Sequence, residues 1–171
     1  MIKDVAAWLK RSPTQKEIVE IQDGPNKVKI IPQKIIETLL DELTEQNWST
    51  RNFQFQRWID GSARTMCDAS LELVVTYKMV VAVSPYEYKQ TQAGKKEIEV
   101  TRVLVGAVSF DCAFFGNDHV ANTAKSLCIS NAASDLGKRF GKDLNPSVAP
   151  PINSLSPSGN KILQTLHKVN Q

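Results

Sequence analysis

Three carboxylates on predicted strands, Asp68, Glu72 and Asp111, are the first residues in this sequence whose type and spacing could do chemistry. Asp68 and Glu72 fall four apart on one strand face and Asp111 on another strand. Together they form a candidate magnesium site for nuclease chemistry, since magnesium takes carboxylate oxygens and clamps a phosphodiester. The same residues equally fit solvated or ion-paired strand positions. Cys128 and His119 offer a thiol and a base, yet nine residues of one predicted helix put them about 13.5 Å apart. They read instead as a core cysteine and a helix-terminal histidine. Cys67, Cys112 and Cys128 form no CxxC pair and have only two histidines in the chain to complete a metal site, so we expect reduced core thiols. There is neither a GxxxxGK[ST] loop nor a GxGxxG turn after a strand, which argues against a nucleotide-driven motor or a dinucleotide site. The expectation is a binding protein without catalytic residues, metal or other cofactor.

What remains is basic and polar. The 21 Lys and Arg residues exceed the 18 Asp and Glu residues, for a net charge of +3. That bias favours an anionic partner only where the cations cluster. Arg51, Arg57 and Arg64 punctuate one predicted hairpin, Lys34 opens an otherwise acidic helix, and Lys125, Lys138, Arg139 and Lys142 lie along the last long helix. These charges are either a solvated face or the cations of a phosphate-tracking groove between hairpin and helix. No apolar run approaches the roughly 20 residues of a membrane span, and the first residues lack the apolar stretch of a signal peptide. A soluble, intracellular protein with no membrane partner is expected.

The elements that must position these residues follow from periodicity. Residues 2–11 carry apolar positions at helical spacing until Ser12-Pro13. Alternating residues on both sides of Asp23-Gly24-Pro25-Asn26 predict a small hairpin. Pro32 suits a first helical turn, and Ile35, Ile36, Leu39, Leu40 and Leu43 mark the apolar face of a helix over 32–46. From Trp48 the period changes to two, the Asp60-Gly61-Ser62 turn follows, and residues 64–83 and 97–114 read as two further strands, rich in β-branched residues. A polar tip at 86–96 joins them. Three sequential strands on short turns form an antiparallel meander. Val120, Ala124, Leu127, Cys128, Ala132, Leu136 and Phe140 then predict a helix on the sheet across 116–144, capped by Asn117 or Asp118 and ended by Gly137 or Gly141. The fold class is α+β: a three-stranded antiparallel meander packed on a long helix, preceded by a strand and a helix. Residues 1–145 form the folded domain, with its core from about 27 to 145. Residues 146–160 are a Pro/Ser linker, and 161–171 a short helix or tail.

Two stretches in this order resemble the Rad-fifty-two superfamily, which includes mitochondrial genome maintenance and phage recombinase annealing proteins. The first is KVKIIPQKIIETLLDELTEQNW, similar to the family's strand-helix segment and ending in the same Trp, here Trp48. The second is VGAVSF followed by AKSLCISNAASDLGKRFG, similar to the third strand and helix of the family. With the strands between, the resemblance covers about residues 27–145. It implies that Lys34 matches a cation contacting the DNA backbone. It also implies that Ser130, Asn131 and Ser134 occupy helix positions where relatives present cations. There this sequence departs from the pattern, because Ser and Asn hydrogen-bond phosphate without charge. Lys138, Arg139, Arg51 and Arg57 then become the compensating cations, with Arg64 and Lys125 beside them.

The resemblance further implies subunits stacked in a ring or helical filament that holds single-stranded DNA by its backbone and leaves its bases free to pair, without ATP. Head-to-tail contacts generate such rings and filaments. Two other readings predict different behaviour: a single-strand protector using Phe53, Phe55, Trp58 and Tyr77 as stacking platforms, and the nuclease built on Asp68, Glu72 and Asp111. A C-terminal helix that recruits a single-strand binding protein or an exonuclease is an accessory expectation.

Overall fold

Period-two alternation in the middle of the chain folds as expected into one antiparallel sheet. The computed structural model describes residues 2–23, 26–83, 94–113 and 117–145. Strands β3 (Trp48–Ile59), β4 (Thr65–Val83) and β5 (Gly94–Asp111) pair antiparallel in the order β3-β4-β5. Along β4, Cys67, Ala69, Leu71, Leu73, Val75 and Tyr77 are buried, while the residues between them face the other way. On β5 the alternating buried set is Leu104, Gly106, Val108 and Phe110, joined by Asp111 at the strand's end, with Gly106 opposite Leu71 and Phe110 opposite Cys67. The edge strand β3 is broken by a bulge between Arg51 and Gln54, where Asn52 takes a left-handed φ of 54°. Asn tolerates that conformation, and the bulge bends the strand.

One face of the sheet carries the helices. Helix α3 (Asn117–Ser134) buries Val120, Ala124, Cys128 and Ala132 against it. Small side chains let helix and sheet approach closely, most of all at Gly106, where an added Cβ would stand 1.8 Å from the Cys128 carbonyl oxygen. Helix α2 (Gln33–Thr44) buries Ile36, Leu39, Leu40 and Leu43, and its Asp41 accepts the Trp48 indole N–H at 2.7 Å, tying α2 to the start of β3. Strands β1 (Val19–Asp23) and β2 (Asn26–Ile30) form the predicted hairpin, and α1 (Val5–Lys10) is capped by Asp4, which accepts from Ala7 N–H at 2.9 Å. This is the α+β architecture the periodicity predicts.

The last helix is shorter than its apolar spacing suggests. It ends at Ser134, and a 3-10 turn at Lys138–Phe140 follows. Gly137 has φ 151°, and a Cβ there would meet the Leu9 carbonyl oxygen at 2.6 Å, so the chain must leave the helix to pass α1. Leu136 and Phe140 still reach the core from this irregular segment. A second correction concerns Arg139, expected as a phosphate contact. It is only 11% exposed, forms a two-pronged ion pair with Glu17, and lies 5.4 Å from the Trp8 ring centroid. Trp8 in turn meets Phe140 edge-on at 5.9 Å. This clasp fastens the N-terminal segment to the turn after α3.

The opposite face of the sheet carries Val74, Val103 and Val105, and Val103 and Val105 are 48% and 65% exposed. Among the described residues, no strand pairs with the outer edge of β3 or β5. No described helix is long and apolar enough to cross a membrane. The Gly24-Pro25 turn, residues 86–93 of the expected tip, the capping side chains of Asn117 and Asp118, the linker and the C-terminal tail lie outside the described residues, while Gly94, Lys95 and Lys96, expected in the tip, already belong to β5.

Candidate nucleic-acid interface

Between the start of α2, one flank of α3 and the turn after it lies a cleft of about 420 Å³. Its longest wall is α3. His119, Asn122, Thr123, Ser126 and Ser130 recur at steps of three and four, so they line up on one flank of the helix. The apolar stripe of Ala124, Cys128 and Ala132 is turned into the sheet. Facing them are Lys29 and Ile30 at the end of β2, and Gln33 and Ile36 on α2. Phe140, Leu144 and Asn145 complete the third side.

Hydrogen bonds hold these walls in place. Ser130 donates to the Gln33 side-chain oxygen at 3.2 Å, bridging α3 to α2, and Gln33 donates to Glu37 at 2.8 Å. The Asn145 amide accepts from Lys29 N–H at 2.9 Å and donates to the Lys29 carbonyl at 2.6 Å, pairing with β2 as a neighbouring strand would. Asn131 donates to the Ala107 carbonyl at 2.9 Å, fixing α3 to β5. Ser134 donates to the Asn131 carbonyl within its own helix. Among the described residues, the lining holds amides, hydroxyls, an imidazole and one ammonium group but no carboxylate. Two carboxylates border it: Glu37 accepts from the lining Gln33 at 2.8 Å, and Glu20 lies 4.0 Å from the Lys29 ammonium group.

The expected DNA-contacting residues separate into three groups. Ser130 and Asn131 line the cleft, Lys34 stands exposed one residue past Gln33, and Lys125 stands exposed one residue before Ser126. Arg51, Arg57 and Arg64 belong to the β3-β4 hairpin instead. Arg51 is ion-paired with Glu72 at 2.6 Å, Arg64 with Asp60 at 2.8 Å, and Arg57 hydrogen-bonds the Cys112 side chain. Lys138 lies on a third surface, a mainly apolar groove between α1 and β4 that it shares with Lys10 and Lys142. The structure therefore does not bring hairpin and helix cations into one row.

The rival constellations are placed as follows. Asp68 accepts the Trp58 indole N–H at 2.7 Å and Glu72 holds Arg51, while four residues of strand separate them by about 13 Å. Asp111 is buried, accepts from Ala113 N–H and stands opposite Met66. No cluster of metal-ligating residues is found among the described residues. Of the aromatic platforms, Phe53 and Trp58 are 37% and 41% exposed, but Tyr77 is buried. Phe53 stacks on Phe55 at 6.4 Å. The three cysteines are free and buried, and burial, with the neighbouring Cys112 and Asp68, pushes the Cys67 thiol up to about 12.

Sequence reasoning missed Lys29, Asn122, Ser126 and Asn145. A signal for two of them was present: polar residues at 119, 122, 126 and 130 recur at helical spacing beside the apolar stripe. Lys29 and Asn145 join through a contact across 116 residues that no local pattern encodes. Comparison with protein-family models finds no match, and comparison with curated proteins finds none either.

Proposed function

We propose that this protein is an ATP-independent single-stranded DNA-binding and annealing protein of Rad-fifty-two-like type, acting in recombination or repair as a homo-oligomeric ring or filament. The observation that carries the reading is the cleft along α3, lined by hydroxyls and amides. Of the three helix positions the family resemblance assigns to DNA, Ser130 and Asn131 line it while Ser134 does not, and Lys34 is exposed on α2 next in sequence to the lining Gln33. Uncharged hydroxyls and amides hydrogen-bond a strand whatever its sequence, and exposed lysines such as Lys34 release counterions from its phosphates. Annealing then needs no bond chemistry, only two strands held with their bases accessible.

Assembly is supported by the edges and the bare face of the sheet. Two strands of 12 and 18 residues have outer edges unpaired among the described residues, and unprotected edges of this length invite pairing with another chain. The exposed valines of the uncovered face add apolar area that a neighbour would bury. A cytoplasmic or nucleoid-associated location in a bacterium or phage-infected cell fits this role, as does recruitment of a single-strand binding protein or exonuclease by the C-terminal tail.

The test is fluorescence-quench annealing of complementary oligonucleotides without ATP or metal, beside mass photometry of the same sample. Rapid annealing by particles many times the 19.0 kDa chain, slowed by Lys34→Ala, is the expected result. Tight binding by small particles without annealing would replace this reading with strand protection, and no binding at low salt would reject both.

A further inference from the structure

We infer that the surface on either side of α1 is a contact between two copies of this chain related by a two-fold axis, each copy's lysines set over the other's glutamates. It shares no lining residue with the α3 cleft and does not depend on strand binding. Two recesses meet there. The first, of about 460 Å³, is the mainly apolar groove that holds Lys10, Lys138 and Lys142. The second, of about 160 Å³, holds Glu42, Glu45 and Glu99. Val5 and Tyr77 line both, so α1 and β4 join them along one apolar seam. Half-buried Leu9 and Met79 extend the seam on the lysine side, and half-buried Ile2 extends it on the glutamate side.

The two recesses are electrostatic opposites. Asp143 stands among the three lysines and Lys78 among the three glutamates, and Lys78 is drawn towards Glu97 at 3.9 Å. The three lysines and three glutamates are exposed, and none of them has an ion pair among the described residues. Nearby in sequence and outside both linings, exposed Lys3 and Arg11 are matched by exposed Asp4 and Asp135, which leaves the imbalance as it is.

A partner of one sign would suit one recess and be repelled at the other. Single-stranded DNA is such a partner, and so is the 161–171 stretch, whose charged side chains are Lys161 and Lys168. A second copy, turned about a two-fold axis through the Val5 and Tyr77 seam, satisfies both recesses at once. An isologous contact uses the same patch on both copies, so each ion pair across it forms twice. The apolar seam meets itself at the centre and the charges surround it, the core and rim of a protein interface. Head-to-tail contacts close a ring, whereas this contact closes a pair, so rings or filaments built through the strand edges would be joined two by two.

The test is sedimentation velocity of the full chain without DNA. It compares wild type, the double variant Lys10→Glu with Lys138→Glu, the double variant Glu42→Lys with Glu45→Lys, and an equal mixture of the two variants. Wild-type particles are expected to have about twice the mass of those of either variant alone, and high salt should separate them as the charge swaps do. Mixing the variants should restore the wild-type mass, because a mainly acidic surface then meets a mainly basic one; misfolded variants could not do this. Variants that keep the wild-type mass overturn the two-fold contact and leave a head-to-tail assembly standing. If the lysine variant keeps its mass yet binds single-stranded DNA more weakly, its lysines belong to the strand. A mixture that stays at the lower mass overturns the contact as well. So does a wild type that sediments as the 19.0 kDa monomer at concentrations that saturate a micromolar contact.

Discussion

The cleft beside α3 and the β3-β4 hairpin invite comparison, because the hairpin has more positive charge and the cleft more uncharged hydrogen-bonding groups. On the hairpin, Arg51 faces Glu72, Arg64 faces Asp60, and Asp68 takes the Trp58 indole N–H. Hydrogen bonds from Arg51 and Asn52 hold the Glu72 carboxyl below its usual range, as the Arg64 and Ser62 backbone N–H groups do for Asp60. Those carboxylates stay ionised and offset the arginines, so little net field reaches a phosphate. The cleft has fewer cations still, and its Lys29 lies 4.0 Å from Glu20 while Glu37 accepts from Gln33; what it offers is uncharged hydroxyls and amides. The count of Lys and Arg in a segment is thus a poor guide to an anion site; the charge left over after pairing is the better one.

The most severe way to break this contrast is to lift α3 from the sheet while leaving the hairpin paired. Gly106→Ala places a methyl group where only 1.8 Å separates it from the Cys128 carbonyl oxygen. Backbone cannot yield as a flexible side chain would, so we expect a loss of about 4 kcal/mol in denaturant unfolding, at the severe end of single substitutions, with strand binding lost as well.

The cleft's third wall depends on the clasp between Glu17 and Arg139. Burial raises the Glu17 pKa, but hydrogen bonds from Arg139 and Thr14 outweigh it, and the net shift is downward. A lowered folded value means the clasp contributes fully above the ordinary glutamate range and is lost as pH falls through the folded value. Glu17→Gln leaves Arg139 buried without its counter-charge and should cost about 3 kcal/mol at neutral pH. Thermal unfolding across acid pH should show a steeper decline in wild type than in the variant, in which Asp60 and Glu72 still titrate but Glu17 does not.

How much of this was legible in the sequence depends on the range of each interaction. The meander was legible because alternation in 64–83 records burial residue by residue, and α2 because Ile36, Leu39, Leu40 and Leu43 share one face. The end of α3 was not, because the spacing of Leu136 and Phe140 looks helical while Gly137 answers to Leu9, far away in sequence. Arg139 misled for a related reason: nothing near it in the chain announces Glu17. The cleft itself was half legible, its α3 flank written in a polar stripe and its other walls assembled from distant segments.

A change of charge inside the cleft sharpens the contrast further. Ser126→Asp puts a carboxylate into a lining that has none among the described residues. It should weaken binding to single-stranded DNA by about tenfold or more through repulsion that salt relieves only in part. Anisotropy titrations at two salt concentrations check both the size and the residual effect.

The smallest expected effect is the most discriminating, because it sets one cation from each region against the other. Lys34 is exposed near the start of α2, with no ion pair among the described residues; Arg51 is also exposed but paired with Glu72. If the strand runs past α2, Lys34→Ala removes one phosphate contact. Affinity should then fall about threefold, and the slope of log affinity against log salt should drop by about 1. Arg51→Ala releases Glu72 rather than a phosphate and should leave that slope unchanged. The reverse pattern, a slope lost with Arg51 and kept without Lys34, would move the strand to the bulged edge of β3, where Phe53 and Trp58 are exposed. Net charge changes by the same amount in both variants, so a difference between their slopes reports position alone.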